Sequence, residues 1–248
     1  MIKSSIEAII KDKITKTQNG SEDIYVVGPV KLPVELDGET KIFAWYSWLR
    51  KEAGKELAAA ELVEELNRVH YADHQQSSVL VYGDFAHNPD ALIRMHSICH
   101  TGDIFGSARC DCGFQLKQSM RIIAEHGSGA LFYLANHEGR GIGLFSKAIA
   151  YLLQEEGLDT VDANLELGFA DDSRDYSDAI AVLGLLRKLP VSIITNNPRK
   201  VEAMRKAGMS VSGRVPLWGN ASAYNEKYLQ TKISRSGHFA GEPQKIVK

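Results

Sequence analysis

The sequence predicts a mixed α/β protein of the α+β class, with an antiparallel β-rich N-terminal part followed by βα units. Its 248 residues are 44% hydrophobic, which is enough to build a substantial core. Asp37 and Gly38 lie between two apolar-rich runs, a pattern typical of a β-hairpin. After residue 112, short apolar runs alternate with segments of helical spacing, which indicates βα units.

The first third of the chain is predicted to be mainly β-structure between two helices. A short amphipathic helix over residues 6–14 should end in a turn at residues 19–22. Strands follow as an antiparallel edge or a small barrel, and a helix is predicted over residues 51–69. The strands predicted up to the cysteine-rich segment cover residues 24–27, 30–36, 41–46, 78–83 and 91–96.

The rest of the chain is predicted to alternate between strands and helices. The charged segment 171–175 matches neither apolar period, so we expect a loop there. The polar tail beyond residue 228 is predicted to be loosely ordered. The predicted helices cover residues 114–126, 142–156, 176–186 and 198–207, and the predicted strands cover residues 129–134, 191–195 and 209–215.

The charge composition argues against two classes of partner. The 29 basic and 31 acidic side chains nearly cancel, so no overall field favours nucleic acid or an anionic membrane. The N-terminal residues lack the apolar core of a signal peptide, and no run approaches transmembrane length. Together with an odd number of clustered thiols, these features predict a cytoplasmic protein with no nucleic-acid or membrane partner.

All three cysteines lie in one short stretch, at positions 99, 110 and 112. Such clustering favours one metal ion over disulfides, although core packing or a redox pair is the alternative. Three thiolates leave the fourth corner of a zinc tetrahedron open, as in catalytic sites. His96 or His100 could instead close that corner and make the site structural. Either way, the sequence predicts that the βα units surround a zinc site.

Four polar loops follow predicted strands or precede predicted helices, where α/β proteins usually place their sites. The first loop contains the cysteines, and its Arg94 could hold a phosphate. The second, residues 137–143, spaces glycines so that backbone N–H groups can approach an anion, and adds Arg140. By itself this second loop is equally well an ordinary turn.

The third loop, residues 169–176, packs carboxylates around Arg174 as either a solvated ion pair or a rigid phosphate contact. The fourth, residues 195–200, places basic residues at a helix N-terminus, where they favour an external anion. An ordinary capped helix start explains the fourth loop equally well. Tyr151 shares a predicted helix face with Lys147 and is by default a core tyrosine.

Read together, these motifs resemble the GTP cyclohydrolase II family in unbroken order. The likeness is close from about residue 78 to residue 232 and thinner before it. It implies an N-terminal extension with hairpin and helix at residues 1–77, a catalytic domain at 78–232 and a polar tail at 233–248. The segments that carry the resemblance are residues 94–103, 109–115, 138–144, 159–169, 172–175 and 195–201.

The resemblance implies an enzyme that opens the imidazole ring of GTP, releasing formate and pyrophosphate in the first committed step towards riboflavin. Zinc and magnesium would be its cofactors, and it would be a homodimer. The zinc ligands would be Cys99, Cys110 and Cys112. Arg174 would attack the α-phosphate with Asp172 as its acidic partner, although a protonated guanidinium is physically better suited to clamping phosphate.

In the same resemblance, Tyr151 would assist water at the ring-opening centre. A further set of side chains and backbone positions would lie around the nucleotide. These are Arg94, Met95, His96, Ser97, Ile98, Gln115, Glu138, Gly139, Arg140, Thr160, Thr195 and Lys200.

Three positions depart from the family pattern. Ile98 stands where the family commonly has Glu, His100 where it has Leu, and His137 where it has Gln. Loss of a carboxylate beside the metal could alter turnover or base preference. The alternatives to an active GTP cyclohydrolase II are therefore a specialised paralogue with a changed purine or product, and a non-catalytic GTP sensor. A structural-zinc nucleic-acid module is disfavoured because the chain lacks a basic stripe.

Overall fold

A computed structural model describes residues 4–54, 57–66, 68–69 and 76–240. No helix in this described part is both long and apolar enough to cross a membrane. The strands are β1 (Ile14–Asn19), β2 (Glu22–Leu36), β3 (Glu39–Glu52), β4 (Ser78–Tyr82), β5 (Leu92–Ser97), β6 (Gly129–Leu134), β7 (Val191–Ile194) and β8 (Val211–Val215). The α-helices are α1 (Ser4–Ile10), α2 (Ala59–Leu66), α3 (His100–Asp103), α4 (Cys112–His126), α5 (Leu144–Glu155), α6 (Thr160–Glu166), α7 (Ser177–Leu186), α8 (Pro198–Lys206) and α9 (Glu226–Ser234).

The eight described strands form one sheet in the order β1-β2-β3-β4-β6-β5-β7-β8. Pairing is antiparallel from β1 through β4 to β6, and parallel between β6, β5, β7 and β8. The predicted antiparallel N-terminal part and the predicted βα units are therefore the two ends of a single sheet. The mixed fold class is confirmed, and of the two N-terminal alternatives the structure has an antiparallel edge.

The predicted hairpin at Asp37 and Gly38 is confirmed. Leu36 pairs with Glu39, and the two residues between them have φ angles of 54° and 83°. A two-residue turn with both φ angles positive matches the right-handed twist of the flanking strands, and Asp-Gly tolerates that geometry. The long β2-β3 ribbon follows directly from this local signal.

Two helix predictions in the N-terminal part were too long. The first helix ends at Ile10, and Ile14–Asn19 form strand β1, whose Ile14 pairs with Val27 of β2. The second predicted helix, residues 51–69, begins inside β3, and the observed helix spans only Ala59–Leu66. In both places pairing with a neighbouring strand overrides the local helical spacing. Residues 55, 56, 67 and 70–75 lie outside the described residues.

Two further helices differ from the sequence predictions. Residues Thr160–Glu166 form α6, which the sequence left unassigned, and the Asp159 side chain caps it by accepting from the Val161 and Asp162 amides. The segment expected to be loosely ordered beyond residue 228 contains most of α9. Residues 241–248 of the predicted polar tail lie outside the described residues.

The sheet has a hydrophobic core on each face. On one face, β-strand side chains such as Ile93 and Phe132 pack against α7 and Met204 of α8. On the other face, Leu92 and Leu131 pack against α4 through Ile123. The alternation of Leu92 with Ile93 follows from the two-residue period of a strand. Both helical layers leave the carboxyl ends of the parallel strands uncovered, and ligands commonly bind there in α/β proteins.

Candidate active site

The carboxyl ends of β5, β6 and β7 open onto one large cavity of about 1120 Å³, including its mouth. Except for Met95 and Asp172, the structure brings every site residue named from the sequence to this cavity. Those residues are Arg94, His96, Ser97, Ile98, Cys99, Cys110, Cys112, Gln115, Glu138, Gly139, Arg140, Tyr151, Thr160, Arg174, Thr195 and Lys200.

The three cysteines form one cluster at the floor of the cavity. Cys99 follows β5, whereas Cys110 and Cys112 lie at the start of α4. Their sulfurs lie within 4.8 Å of one another, and the Sγ atoms of Cys99 and Cys110 are 3.6 Å apart. Tetrahedral zinc with Zn–S bonds of about 2.3 Å separates its sulfurs by about 3.8 Å. The thiol arrangement is therefore compatible with a zinc ion.

Neither candidate histidine completes this cluster. The His96 Nε2 atom is 3.0 Å from Asp103, whose carboxylate also accepts from the Cys99 amide and the Tyr133 hydroxyl. His100 instead packs edge-on against Phe105, with ring centroids 4.9 Å apart. Within the described residues, the only group of potential ligands that converges is the cysteine trio. A zinc ion held by the three thiols would therefore keep a fourth coordination position that neither histidine occupies, as a catalytic metal requires.

A buried ion pair lies directly against the cluster. The Lys147 ammonium donates to the Cys99 sulfur at 3.2 Å and to a Glu138 oxygen at 2.5 Å. The second Glu138 oxygen accepts from the His100 amide at 2.7 Å. Glu138 is 1% exposed, so this pair is shielded from solvent and rigid. It joins the glycine-rich loop to the cysteine loop and places a positive charge beside the thiolates.

Tyr151 lies beside this pair, with the Lys147 ammonium 5.6 Å from the centre of its ring. Its hydroxyl is 3.2 Å from the Thr101 hydroxyl, which is itself 3.7 Å from the Cys99 sulfur. Burial raises the pKa of Tyr151, so it remains a neutral hydroxyl that can donate or accept. The side chain faces the cavity rather than the core, contrary to the default expectation for a mid-helix tyrosine.

Arg174, at the other side of the cavity, forms a partly buried bidentate pair with Asp172. The Arg174 Nε and Nη2 atoms donate to the two Asp172 oxygens at 2.8 Å and 2.7 Å. The side chains are 14% and 8% exposed, so this is not the solvated surface pair that the sequence also allowed. Burial opposes ionisation of Asp172, but its hydrogen bonds to Arg174 outweigh burial and lower its pKa below the usual value.

Further positive charge surrounds the Arg174 pair. The Lys200 ammonium is buried and donates to the Met95 carbonyl at 2.6 Å. Burial, and then the charges of Arg94 and Arg174, lower the pKa of Lys200 well below its usual value. Burial likewise lowers the pKa of Arg140. So many cations in one wall repel one another, and an anionic ligand would stabilise all of them.

The remaining predicted residues position these groups. Met95 is fully buried in the hydrophobic core, so only its carbonyl contacts the site. Arg94 donates to Gln115 at 2.6 Å, and Gln115 in turn donates to Asp111 at 2.7 Å. Thr195 accepts from the Asn197 amide at 3.0 Å and shapes the start of α8.

Gly139 in the glycine-rich loop adopts a φ of +60°, a backbone conformation that favours glycine. A side chain there would also collide with Ile142, since a built Cβ lies 2.8 Å from its Cγ1 atom. This close packing fixes the loop that carries Glu138 and Arg140.

His137 is buried beneath the glycine-rich loop in a defined tautomer. Its Nε2 atom lies 2.8 Å from the Asp175 carbonyl, which can only accept, so Nε2 carries the proton. Nδ1 therefore accepts from the Ser97 hydroxyl at 3.1 Å. Burial lowers the pKa of His137 to about 4 and keeps the ring neutral. His137 thereby links the Asp175 backbone to Ser97, whose hydroxyl is 3.4 Å from Arg174.

Several cavity residues were not assigned to the site from the sequence. Lys147 was noticed only because it shares a helix face with Tyr151. Arg109 lay inside a quoted motif, and its guanidinium is 4.8 Å from the centre of the Tyr151 ring. Four more come from the C-terminal segment, namely Trp218, Tyr228, Lys232 and His238, of which the last two belong to the tail that was predicted to be loosely ordered. The period of three to four between Tyr228 and Lys232 was the available signal.

Comparison with known proteins gives an independent result. A family model described as GTP cyclohydrolase II matches residues 30–216. The GTP cyclohydrolase-2 of Histophilus somni (strain 2336) is 48% identical over 170 residues, covering 68% of this chain and 78% of that protein. The GTP cyclohydrolase-2 of Pseudomonas paraeruginosa is 42% identical over 218 residues, covering 88% and 94%.

A riboflavin biosynthesis protein of Salinispora tropica is 47% identical over 169 residues, covering 68% of this chain and 42% of that protein. The family match begins within the predicted N-terminal extension and so includes most of the β2-β3 hairpin. It also contains the cysteine cluster, the glycine-rich loop and the Asp172–Arg174 pair. The chain belongs to the GTP cyclohydrolase II family.

Proposed function

We propose that this chain hydrolyses GTP in a zinc-dependent reaction that opens the imidazole ring. Formate and pyrophosphate are released, and 2,5-diamino-6-(ribosylamino)pyrimidin-4-one 5′-phosphate remains. The observation that carries this proposal is that one cavity holds both an open three-thiol cluster and a wall of buried and partly buried cations. A substrate with a hydrolysable ring and a polyphosphate tail matches both ends. The names of the relatives, GTP cyclohydrolase-2, support the same substrate.

Cys99, Cys110 and Cys112 would hold the zinc. When bound, zinc would polarise the substrate and lower the pKa of a bound water molecule to about 7. Lys147 offsets the negative charge of the thiolates through its 3.2 Å contact with Cys99. The neutral Tyr151 hydroxyl can orient a water molecule or the ring at this end of the cavity. Glu138 fixes the position of Lys147 relative to the cysteine loop, because it accepts hydrogen bonds from both.

At the opposite end, Arg174 would clamp the triphosphate. Two of its nitrogens are engaged by Asp172, which fixes the guanidinium plane, while the side chain still faces the cavity. Burial opposes its charge, but Tyr176 and Asp172 outweigh burial and raise its pKa above the usual value. A guanidinium held so firmly in its protonated form is suited to electrostatic stabilisation of phosphoryl transfer rather than to nucleophilic attack.

The remaining parts of the proposal follow from the same substrate. Magnesium would accompany the triphosphate. Arg140 and Lys200 would contact the phosphate oxygens, and Thr160 would lie beside the nucleotide. We further propose that the enzyme acts in the cytoplasm as a homodimer, by analogy with the family. The predicted catalytic domain, residues 78–232, contains both ends of the cavity.

The test is incubation of the purified protein with GTP, zinc and magnesium, followed by formate, pyrophosphate and mass-spectrometric product assays. We expect all three products. Cys110→Ser should abolish formate release by removing a zinc ligand, yet retain pyrophosphate release because the cationic wall is intact. Arg174→Met should reduce pyrophosphate release at least a hundredfold. Arg205→Met, on the exposed face of α8, is the matched control and should behave like the wild type.

Other outcomes separate the alternatives. GTP that survives exhaustive incubation, while still binding, would contradict the proposal and favour a sensor. A different ring-opened or deaminated product would favour a specialised paralogue. Loss of both products in Cys110→Ser, with the fold intact, would contradict the separation of the zinc and phosphate ends.

A further inference from the structure

One wall of the cavity comes from the C-terminal segment, residues 218–239, which we name the C-terminal wall. It includes Trp218 and α9 and lies beyond residue 216, where the family match ends. Trp218, Tyr228, Lys232 and His238 all line the cavity. The inference below rests on the proposed function for the identity of the ligand, because it names GTP.

Three contacts fasten the C-terminal wall to both ends of the site. The Tyr228 hydroxyl is 3.6 Å from the Cys112 sulfur, and Lys232 pairs with Asp111, between two cysteines, at 2.7 Å. At the cationic end, Arg140 donates to the Ser236 hydroxyl at 3.0 Å. The wall therefore spans the distance between the thiol cluster and the phosphate clamp, so a ligand that joins the two must pass along it.

Two side chains of the C-terminal wall carry buried polar atoms with no partner among the described residues. These atoms are Nε1 of Trp218 and Nδ1 of His238. Trp218 is only 6% exposed, and the two rings are 6.2 Å apart. An indole N–H can only donate, so an acceptor must come from the cavity if the group is to be satisfied. Leaving such a group unpaired is costly, which favours a ligand contact.

The surroundings differ between the two side chains. Trp218 lies near Lys232, whose ammonium is 6.0 Å from the indole ring and also packs on Tyr228 beside the thiol cluster. His238 lies within the field of Lys232 and also of the cations of the phosphate clamp, Arg174, Lys200 and Arg140. Burial, and then the charges of Lys232 and Arg174, lower the pKa of His238 to about 3. A neutral imidazole in a cationic pocket retains one N–H to donate to an anionic oxygen.

We propose that Trp218 and His238 are substrate-binding residues, with Trp218 donating its indole N–H to the nucleoside part of GTP and His238 donating to its phosphates. The C-terminal wall is then the side of the site that holds the nucleotide along its length. Trp218 acts at the metal end and His238 at the anionic end. Neither residue has to take part in bond making or breaking.

The first experiment measures binding of a GTP analogue whose α,β-bridging oxygen is a methylene group, to the zinc-loaded protein. Trp218→Phe keeps the aromatic packing and removes only the N–H. We expect its dissociation constant, measured by calorimetry, to rise about fivefold, the usual effect of one lost hydrogen bond. The tryptophan fluorescence change on binding should disappear. Trp45→Phe, on β3 and outside the cavity, is the matched control and should retain both the affinity and the fluorescence change.

The second experiment uses inorganic pyrophosphate alone, which reports on the anionic end. His238→Gln should weaken pyrophosphate binding about fivefold, whereas Trp218→Phe should leave it unchanged. His87→Gln, at an exposed position, is the control. Zinc content and thermal midpoint are measured for every variant. Hydrogen exchange of residues 226–239 is also compared in the wild type with and without the analogue. This measurement does not depend on the stability of any variant.

Wild-type affinity in both cavity variants, or no added exchange protection of residues 226–239 in the wild type, would overturn the inference. A wild type that binds the analogue with the Trp218 signal but releases no formate would refute the proposed function while leaving the binding role of the C-terminal wall supported. Normal formate release together with unaffected binding in both variants would refute only the proposed binding role of the C-terminal wall.

Discussion

At the scale of single residues, burial decides which charged groups can serve the site. The Asp172–Arg174 pair looks like any surface ion pair in the sequence, yet both side chains are shielded in the structure. Lysine is usually found on the exposed surface of a helix, but Lys147 is only 8% exposed and contacts Cys99. Sequence spacing indicated which residues are neighbours, whereas the dielectric environment of those residues depends on packing from distant segments.

His137 gives a prediction about pH and stability. Its pKa in the folded protein is about 4, below the value of about 6.5 expected when unfolded. Between these values the unfolded chain binds the proton and the folded chain does not, so stability falls as the pH drops from about 6.5 to about 4. His137→Gln, whose amide can still bond Ser97 and Asp175, should show a smaller decrease in thermal midpoint between pH 7 and pH 4.5.

The control for this prediction is His87→Gln, because His87 is exposed. It should reproduce the wild-type pH dependence. Some pH dependence should persist in His137→Gln, since burial also lowers the pKa of His96 and of His238. Identical pH profiles for the wild type and His137→Gln would show that the neutral His137 does not contribute to stability.

At the scale of elements, short loops after the parallel strands bring the metal end and the phosphate end together. The predicted strands β5, β6 and β7 were confirmed, and so was the placement of polar segments at their carboxyl ends. The sequence did not show how tightly these loops pack. The four-residue helix α3 lies so close to the start of α4 that no side chain fits at Gly102 beside the sulfurs of Cys99 and Cys110.

Gly102 therefore provides a prediction at this scale. A Cβ atom at position 102 would lie 2.8 Å from the Cys110 sulfur and 3.2 Å from the Cys99 sulfur, so the thiol cluster would have to shift. Gly102→Ala should weaken zinc binding about tenfold in competition with a chelator, as substitutions around metal ligands commonly do. Gly184→Ala, in helix α7 with no atom within 4 Å of the added Cβ, should bind zinc normally. Equal zinc affinity in both variants would contradict this packing argument.

At the scale of the whole molecule, the N-terminal strands and the site-bearing strands share one sheet. β3 pairs with β4, so the predicted boundary at residue 77 falls between two hydrogen-bonded strands. Ile24, Val26 and Trp48 from the N-terminal part are buried in the same core as Phe132 beneath the site. The geometry of the cavity thus depends on strands that carry no site residue.

Deletion of residues 1–77 tests this dependence. Burying each large apolar side chain contributes about 1.5–3 kcal/mol, so losing Ile24, Val26 and Trp48 removes about 5 kcal/mol or more, similar to the total stability of many domains. The fragment 78–248 would also expose the β4 edge. We expect it to aggregate or to lack a cooperative thermal transition by differential scanning calorimetry.

Deletion of residues 1–10 alone serves as the comparison, because the described part of this segment, Ser4–Ile10, forms helix α1 and no strand of the sheet. This shorter chain should unfold cooperatively and bind zinc. A stable fragment 78–248 with a wild-type thermal midpoint would contradict the dependence of the site on the N-terminal strands.

The sequence by itself determined the mixed fold class, the hairpin at Asp37 and Gly38, the strands of the βα units and the clustered thiols, because local turn chemistry, apolar periodicity and residue type are all written in short segments. Only the tertiary structure decided that neither His96 nor His100 joins the thiols, that the Arg174 side chain is largely shielded from solvent and that α9 lines the cavity. Each of these depends on contacts between segments far apart in the chain, such as Tyr228 with Cys112, and such contacts follow from the packing of the whole sheet and its helices.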